Sequence, residues 1–262
     1  MRPLAFAYGI LAYALFLVTF LWAIGFVGNI VVPNAIDSQP TAPLLSSLLV
    51  NLALLALFAV QHSVMARIPF KKAWTRVIPH YVERSTFVLL TCLVLGLLFW
   101  QWRPMGGVVW EVEAAIGILA LQALFWLGWA VVLLSSFLID HFDLFGVRQV
   151  YLHAQGQAYS QREFKLSSLY KYVRHPLLMG FLISFWAAPR MTVGHFLFAS
   201  VTTAYVLIAI QLEEKDLIQL HGESYREYRR RVPMLIPSIK PLPTSAEGLA
   251  VPGSDAADLA SR

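Results

Sequence analysis

The C-terminal third of the sequence contains charged and aromatic side chains that suit the binding of a small charged molecule. Carboxylates such as Glu213 and Glu214 accept hydrogen bonds from ammonium and hydroxyl groups. Arg174 or His175 can receive a carboxylate, and a helix that starts at Pro176 offers free N–H groups to an anion. The candidate binding residues are Arg174, His175, Pro176, Gly180, Glu213, Glu214, Tyr225, Tyr228 and Arg231.

A second group of polar residues lies where predicted apolar helices end. His62 lies near the end of one helix, and Asp140, His141 and Asp143 follow another. Histidine and aspartate can act as general bases, and ionisable residues at membrane depth often mark functional sites. They can equally be structural: His62 can bond a backbone carbonyl, and the aspartates can be ordinary boundary residues. The spacing of the last three is too tight to converge on a metal ion, so we expect no metal.

The composition indicates that membrane helices position these residues. Of the 262 residues, 58% are hydrophobic and 13% are charged, which is about half the charged share of a soluble domain. A soluble fold of this length cannot hide that much apolar surface. The sequence predicts an all-α integral membrane protein with about five to six transmembrane helices. The predicted helices cover 4–32, 44–66, 86–101 and 114–139, followed by a helical hairpin over 176–212 that is broken at 189–192.

The distribution of basic residues predicts the orientation in the membrane. Of the 20 Lys and Arg residues, 18 lie near the N-terminus, in 67–84, in 140–175 or after residue 212. Only Arg103 and Arg190 fall in the opposite loops. The positive-inside rule then places both termini in the cytoplasm, with the protein in the inner membrane, and requires an even number of crossings.

The chain is predicted to form a single domain. Residues 1–240 form one membrane unit, and 241–262, which are rich in Ala, Gly, Ser, Pro and Asp, form a disordered cytoplasmic tail. The basic residues form no compact tract with interleaved aromatics, so we expect no nucleic-acid partner. The sequence does not fix the oligomeric state.

The region 174–237 resembles a known membrane-enzyme signature. Its residues follow the pattern RHPxYxG, EExxL and GxxYxxYxxxVP in order and spacing, with Leu178 where the family usually has Tyr. This pattern is typical of membrane methyltransferases related to isoprenylcysteine carboxyl methyltransferase and phospholipid N-methyltransferases. The resemblance implies S-adenosylmethionine as methyl donor, held in a cytoplasmic pocket formed by the candidate binding residues. Tyr225 and Tyr228, three residues apart on one helix face, would cover the adenine or close the site.

A narrower resemblance extends over most of 60–235. The segments VQHSVMARIPFKKAWTRVIPHYVERSTFVLL, LFWQWRP and IDHFDLFGVRQVYL look like those of bacterial methanethiol S-methyltransferases. This resemblance implies methylation of a small thiol, methanethiol, to dimethyl sulfide. The thiolate is the nucleophile, so a base must take the thiol proton. We favour His141 or His62 as that base, oriented by Asp140 or Asp143.

Other functions remain open at this point. The acceptor can be another thiol, hydrogen sulfide, an isoprenylated cysteine or a phospholipid amine. A lipid or prenyl acceptor would require an opening towards membrane lipid. A non-catalytic membrane protein, such as a transporter subunit or an assembly factor, would not bind S-adenosylmethionine. The polar segment 140–175 is a plausible lid for a hydrophilic cofactor.

Overall fold

A computed structural model describes residues 2–160 and 168–240. Five of the helices in this part of the chain are long and apolar enough to cross a membrane, namely α1, α2, α4, α5 and α9. The helices are α1 Arg2–Gly28, α2 Leu44–Ala66, α3 Ile68–Trp74, α4 His80–Gln101, α5 Ala115–Ile139, α6 His141–Leu144, α7 Val147–Ala154, α8 Pro176–Trp186 and α9 Val193–Arg231. Two short strands, β1 Val108–Glu111 and β2 Arg190–Thr192, pair antiparallel. The prediction of a mainly helical membrane protein is confirmed.

The shortest apolar helix, α8, is held against α5 by small residues. A side chain at Gly180 would put its Cβ 2.7 Å from the carbonyl oxygen of Gly128 on α5. Ser184, one turn further along, donates a hydrogen bond to the carbonyl oxygen of Phe125 at 3.1 Å. Small residues let membrane helices approach closely, where packing rather than the hydrophobic effect holds them together. The 11 residues of α8 extend for about 16 Å, roughly half the thickness of a bilayer core.

The first helix ends earlier than the sequence predicts. Its apolar run continues to residue 32, but the helix stops at Gly28 because Asn29 adopts a left-handed conformation with φ of 56°. The N–H of Ile30 then bonds the carbonyl oxygen of Gly25 at 2.9 Å, which is the pattern of a Schellman cap. The predicted bounds 4–32 were therefore wrong at the C-terminal end, because hydropathy does not detect a backbone cap.

Polar stretches of the sequence also contain helices. The predicted helix over 86–101 begins at His80, directly after Pro79. Part of the segment 140–175 folds as α6 and α7. Residues 161–167 of that segment and the predicted disordered tail over 241–262 lie outside the described residues.

The connections at one end of the helices are tied together by a buried histidine. The Asp37 carboxylate accepts hydrogen bonds from Thr192 Oγ1 and from His195 Nδ1, the latter at 3.0 Å. The other ring nitrogen, Nε2, donates to the carbonyl oxygen of Phe185 at 2.9 Å. These contacts join the loop after α1 to the end of α8 and the start of α9. They fix where α9 begins, and so how far it extends towards the other end of the bundle.

A kink near the end of α9 folds its last turns back. Gly222 has φ of 57° and ψ of −129°, which is not helical and which only glycine adopts easily. Beyond it, Tyr225, Tyr228 and Val232 pack into a small buried cluster. This return brings the C-terminal residues of the helix against the start of α8.

Candidate functional site

A buried ion-pair network lies where α8 begins and α9 kinks. The Glu214 side chain is only 2% exposed. Its Oε1 accepts hydrogen bonds from Arg174 Nε at 2.7 Å and from His175 Nε2 at 3.1 Å. Arg229 Nε lies 3.0 Å from the other oxygen, Oε2, without the alignment of a hydrogen bond. A buried carboxylate needs such partners, so this network fixes the two helices relative to each other.

The chain around Arg174 is also held through its backbone. The N–H groups of Arg174 and His175 donate to the carbonyl oxygens of Pro233 and Met234 at 2.9 and 3.2 Å. The Arg174 guanidinium donates in addition to the carbonyl oxygens of Arg229, at 2.9 Å, and of Val232. The RHP and VP parts of the signature, almost sixty residues apart, therefore meet in space.

The neighbouring carboxylate, Glu213, is placed differently. Its side chain is 51% exposed, and the described residues give it one ion pair, 3.7 Å long, to His175 Nδ1. Consecutive residues of a helix point about 100° apart, so Glu213 reaches the His175 ring from the exposed side while Glu214 is buried. The negative charge of Glu213 also acts on Tyr205 of α9 and on Arg84 of α4.

The two signature tyrosines are part of the packing that supports the network. The rings of Tyr225 and Tyr228 are 5.8 Å apart at an angle of 62°, and both are buried. The Tyr228 hydroxyl donates to the carbonyl oxygen of Tyr170 at 2.8 Å. Burial, with smaller contributions from Tyr228 and Glu213, raises the pKa of the Tyr170 phenol, so it stays protonated. These phenols act as neutral groups at physiological pH.

The other candidate binding residues lie at the edge of this region. Pro176 is the first residue of α8 and is buried, and Gly180 faces α5 one turn later. Arg231 is half exposed and pairs with Glu227 on its own helix. A role for each in binding stays a prediction.

His141 has a partner on each ring nitrogen. Its Nδ1 lies 2.8 Å from Ser136 Oγ and its Nε2 lies 2.9 Å from Tyr13 Oη. The ring is 3% exposed and stacks on Phe137, with centroids 4.2 Å apart. Burial lowers the pKa of His141, although the charge of Asp140 partly opposes this. The neutral ring therefore links α1 to the end of α5.

The two aspartates beside His141 have local partners. Asp140 Oδ1 caps the short helix α6 by accepting a hydrogen bond from the N–H of Asp143 at 3.2 Å. Asp143 pairs with Arg148 at 3.1 Å and accepts a hydrogen bond from the Tyr159 hydroxyl at 3.1 Å. Burial and the Asp143 charge raise the pKa of Tyr159 to about 12. These contacts connect α6 to α7 and to the residues that follow α7.

His62 lies in a different, aromatic environment. Its ring centroid is 5.4 Å from that of Phe58 and 5.0 Å from that of Phe87. Within the described residues its one hydrogen-bond contact is 3.5 Å long, between Nδ1 and Thr91 Oγ1. His62 therefore keeps a ring nitrogen that can accept a proton, whereas both ring nitrogens of His141 have hydrogen-bond partners.

Several charged residues of the site were missed by the sequence reasoning. Arg84 lies in the first turns of α4, and its Nε donates to the carbonyl oxygen of Leu144 at 2.7 Å. Arg67, at the end of α2, pairs with Asp216 of α9 at 2.8 Å. Lys71 lies nearby, and burial, followed by the charge of Arg84, lowers its pKa. The sequence signal that could have identified Arg84 is a charged residue beside an otherwise apolar helical segment.

Comparison with known proteins identifies relatives along most of the chain. No family model matches the chain, and no solved structure matches it. The chain is 52% identical over 238 residues to the Methanethiol S-methyltransferase of Crocosphaera subtropica, covering 91% of this chain and 93% of the relative. It is 54% identical over 236 residues to that of Mycobacterium tuberculosis, covering 90% and 97%. Nurim of Mus musculus is 32% identical over 193 residues, covering 70% and 73%.

The two bacterial relatives are of similar length to this chain and match it almost from end to end. The matched portion includes both the membrane helices and the C-terminal region that carries the ion-pair network. The resemblance seen in the sequence is therefore confirmed, and the chain belongs to the methanethiol S-methyltransferase family of thiol-methylating enzymes.

Proposed function

We propose that this protein methylates methanethiol to dimethyl sulfide with S-adenosylmethionine as methyl donor, at the cytoplasmic face of a bacterial inner membrane. The observation that carries this proposal is identity above one half, over about nine-tenths of the chain, with relatives named for that reaction. The five apolar helices and the charged residues gathered at one end of them fit a membrane enzyme with a polar site.

The exposed charges beside the buried network fit those of S-adenosylmethionine. Its ammonium and ribose hydroxyls need acceptors, and Glu213 has a half-exposed carboxylate with one long ion pair. The carboxylate of S-adenosylmethionine needs a cation. Arg229, which is 45% exposed, can supply one without breaking the buried ion pair between Arg174 and Glu214. In this arrangement Glu214, Arg174 and His175 hold the framework, and Glu213 makes the polar contact.

The chain's own task in the reaction is to present a thiolate. When bound, S-adenosylmethionine supplies a methyl group that passes to the thiolate sulfur as the sulfonium C–S bond breaks and leaves its electron pair on the donor sulfur. The thiol proton must first go to a base. The geometry favours His62 over His141, because His141 has both ring nitrogens bonded and His62 has one long contact.

The arrangement of the helices supports the proposed sidedness. His175, Glu214 and Arg67 lie at the end of the bundle that the basic loops share, and the β1–β2 pair lies at the other end. In this orientation α8 and the first part of α9 form a short hairpin that enters from the cytoplasm and returns. The residues around Asp143 then cover a cytoplasmic pocket as part of one membrane domain over 1–240.

Headspace gas chromatography on detergent-purified protein tests this function. Wild-type protein supplied with S-adenosylmethionine and methanethiol is expected to release dimethyl sulfide. Glu213→Gln should lose most of the turnover, because it removes a charge from the cofactor contact without emptying a buried site. Glu111→Gln, at the opposite end and 54% exposed, serves as the matched control and should behave as wild type.

The possible outcomes distinguish an error in the proposed methyl donor from an error in the proposed methyl acceptor. If folded wild-type protein binds S-adenosylmethionine in calorimetry but forms no dimethyl sulfide, the proposed acceptor is wrong. If it neither binds S-adenosylmethionine nor forms product, the proposed reaction is wrong as a whole. If Glu213→Gln and Glu111→Gln both match wild type, Glu213 does not contact the donor.

A further inference from the structure

Arg84, a cation near the N-terminal end of α4, pairs with no carboxylate among the residues that the structure describes. Within residues 2–160 and 168–240, no carboxylate oxygen lies within 4.0 Å of its guanidinium, and its described hydrogen bond goes to the carbonyl oxygen of Leu144 at 2.7 Å. Protein encloses most of the side chain, which keeps some accessible surface. Enclosing a cation costs free energy unless an anion compensates it.

Arg84 and His62 share one aromatic neighbour. The Arg84 Cζ lies 5.0 Å from the centre of the Phe87 ring, and the His62 ring centre lies 5.0 Å from the same point. Phe58 contacts the other part of the His62 ring, and Tyr205 lies beside Phe58 with centroids 5.8 Å apart. Apolar surface, a proton acceptor and a cation therefore meet around Phe87.

Several titratable residues of other elements influence Arg84. The carboxylates that act on it are Glu83 on its own helix, Asp143 on α6 and Glu213 on α9, and Tyr159, in the segment after α7, is a further titratable neighbour that stays protonated. The guanidinium groups of Arg84 and Arg67 in turn act on the His62 ring. Arg84 is thus within electrostatic reach of both the proposed donor contact and the proposed base.

We propose that Arg84 is the thiolate-binding residue: its guanidinium holds the sulfur of the acceptor against Phe87 while His62 takes the thiol proton. In this step the S–H bond breaks, its electron pair stays on sulfur, and a new N–H bond forms on the unprotonated ring nitrogen of His62. The proposal rests on the proposed function, since it assigns the acceptor subsite of that reaction.

The chemistry of the acceptor explains why a cation is needed there. An apolar pocket suits the methyl group of methanethiol but disfavours a thiolate, because burial raises the pKa of a thiol. An opposite charge within hydrogen-bond reach lowers such a pKa by about 1 to 3 units. Arg84 therefore offsets the desolvation that the aromatic residues impose, and it favours acceptors that become anions over amines, which gain nothing from a cation.

The pH dependence of kcat, measured at saturating concentrations of two different thiols, tests the proposal, because kcat reports the groups of the enzyme–substrate complex, including the bound thiol. The variants are Arg84→Gln, which keeps a donor for the Leu144 carbonyl but loses the charge, and Arg84→Lys, which keeps the charge. Arg76→Gln, an exposed arginine in the loop before α4, is the matched control. The acceptors are methanethiol and a small fluorinated alkanethiol that is already ionised at the assay pH. Calorimetric affinity for S-adenosylmethionine is measured for every variant.

We expect Arg84→Gln to move the rising limb of the methanethiol pH profile by about 1 to 3 pH units towards alkaline pH. At pH values on the acidic side of that limb, the rate with methanethiol should then fall roughly 10- to 1000-fold. The acidic thiol should lose much less, Arg84→Lys should recover part of the rate, and S-adenosylmethionine affinity should change little. An equal loss at every pH and for both thiols would show that Arg84 only anchors Leu144. A loss of S-adenosylmethionine affinity would assign the guanidinium to the donor and overturn the proposal. If wild type forms no dimethyl sulfide, the proposed function fails first.

Discussion

Replacing Glu214 with alanine should destabilise the fold more than any exposed charge substitution. The carboxylate is 2% exposed and bonds Arg174 Nε at 2.7 Å and His175 Nε2 at 3.1 Å. Without it, the Arg174 side chain, itself 8% exposed, remains enclosed with only carbonyl partners. Removing one member of a buried pair costs about 3–5 kcal/mol, because the other charge is left uncompensated. We therefore expect Glu214→Ala to lower the free energy of unfolding by about 3 kcal/mol or more.

Two further variants separate the charge from the packing. Glu214→Gln keeps an oxygen that can accept from Arg174, so it should lose less than Glu214→Ala. The double variant Arg174→Met, Glu214→Leu removes both buried charges and should lose less than the sum of the single variants, because the remaining partner, Arg229, is 45% exposed and stays solvated. Glu223→Ala, which breaks exposed ion pairs on the same helix, is the matched control and should stay near wild type.

Unfolding in detergent, followed by tryptophan fluorescence, measures these differences, with S-adenosylmethionine binding recorded in parallel. A loss for Glu214→Ala of less than about 1 kcal/mol would refute the reasoning, because a pair worth that little behaves as an exposed salt bridge. Additive losses in the double variant would refute the claim that Arg174 and Glu214 depend on each other.

Two other predictions concern the opposite end of the bundle and the base. Although burial raises the pKa of Asp37, hydrogen bonds from His195, Thr192 and Asn29 and the charge of His195 hold it below its ordinary value of 3.8. The folded state therefore favours the ionised carboxylate, and its stabilisation is present above that value and lost as the pH falls below it. Thermal unfolding from pH 7 to pH 3 should show this acid loss in wild type and less of it in Asp37→Asn; an unchanged slope in the variant would contradict the assignment. Turnover per folded molecule should fall by about 10²–10⁴-fold in His62→Gln, because that variant removes the proposed base. In His141→Gln turnover per folded molecule should change little, and the free energy of unfolding should fall instead. The reverse pattern would make His141 the base.

The membrane helices were largely predictable because lipid-facing surface must be apolar along a whole span. The bounds of α2, Leu44–Ala66, agree with the sequence prediction, and those of α5 differ by one residue. Hydropathy does not predict where α1 ends, because that end depends on the left-handed conformation of Asn29. The same holds for the β1–β2 pair, whose strands are eighty residues apart in the chain.

The sequence motif predicted that some candidate residues would lie together, but it did not predict their individual contacts. The motif placed Arg174, His175 and Glu214 in one site, and the structure brings them into contact. It did not indicate that His141 would be bonded by Tyr13, 128 positions away. It also gave no reason to select Arg84, whose meaning depends on what surrounds it in three dimensions. Contacts between distant segments are the information that a single sequence lacks.

Two adjacent carboxylates on one helix cannot do the same work, because successive side chains point about 100° apart. Glu214 faces the start of α8 and is enclosed by cations, so its charge is already used within the protein. Glu213 keeps a half-exposed carboxylate with one long ion pair, to His175. Moving either charge by one position would leave Arg174 uncompensated or remove the acceptor proposed for the methyl donor. The two carboxylates therefore have separate tasks. We expect Glu214 variants to lose stability and Glu213 variants to lose affinity for the proposed methyl donor.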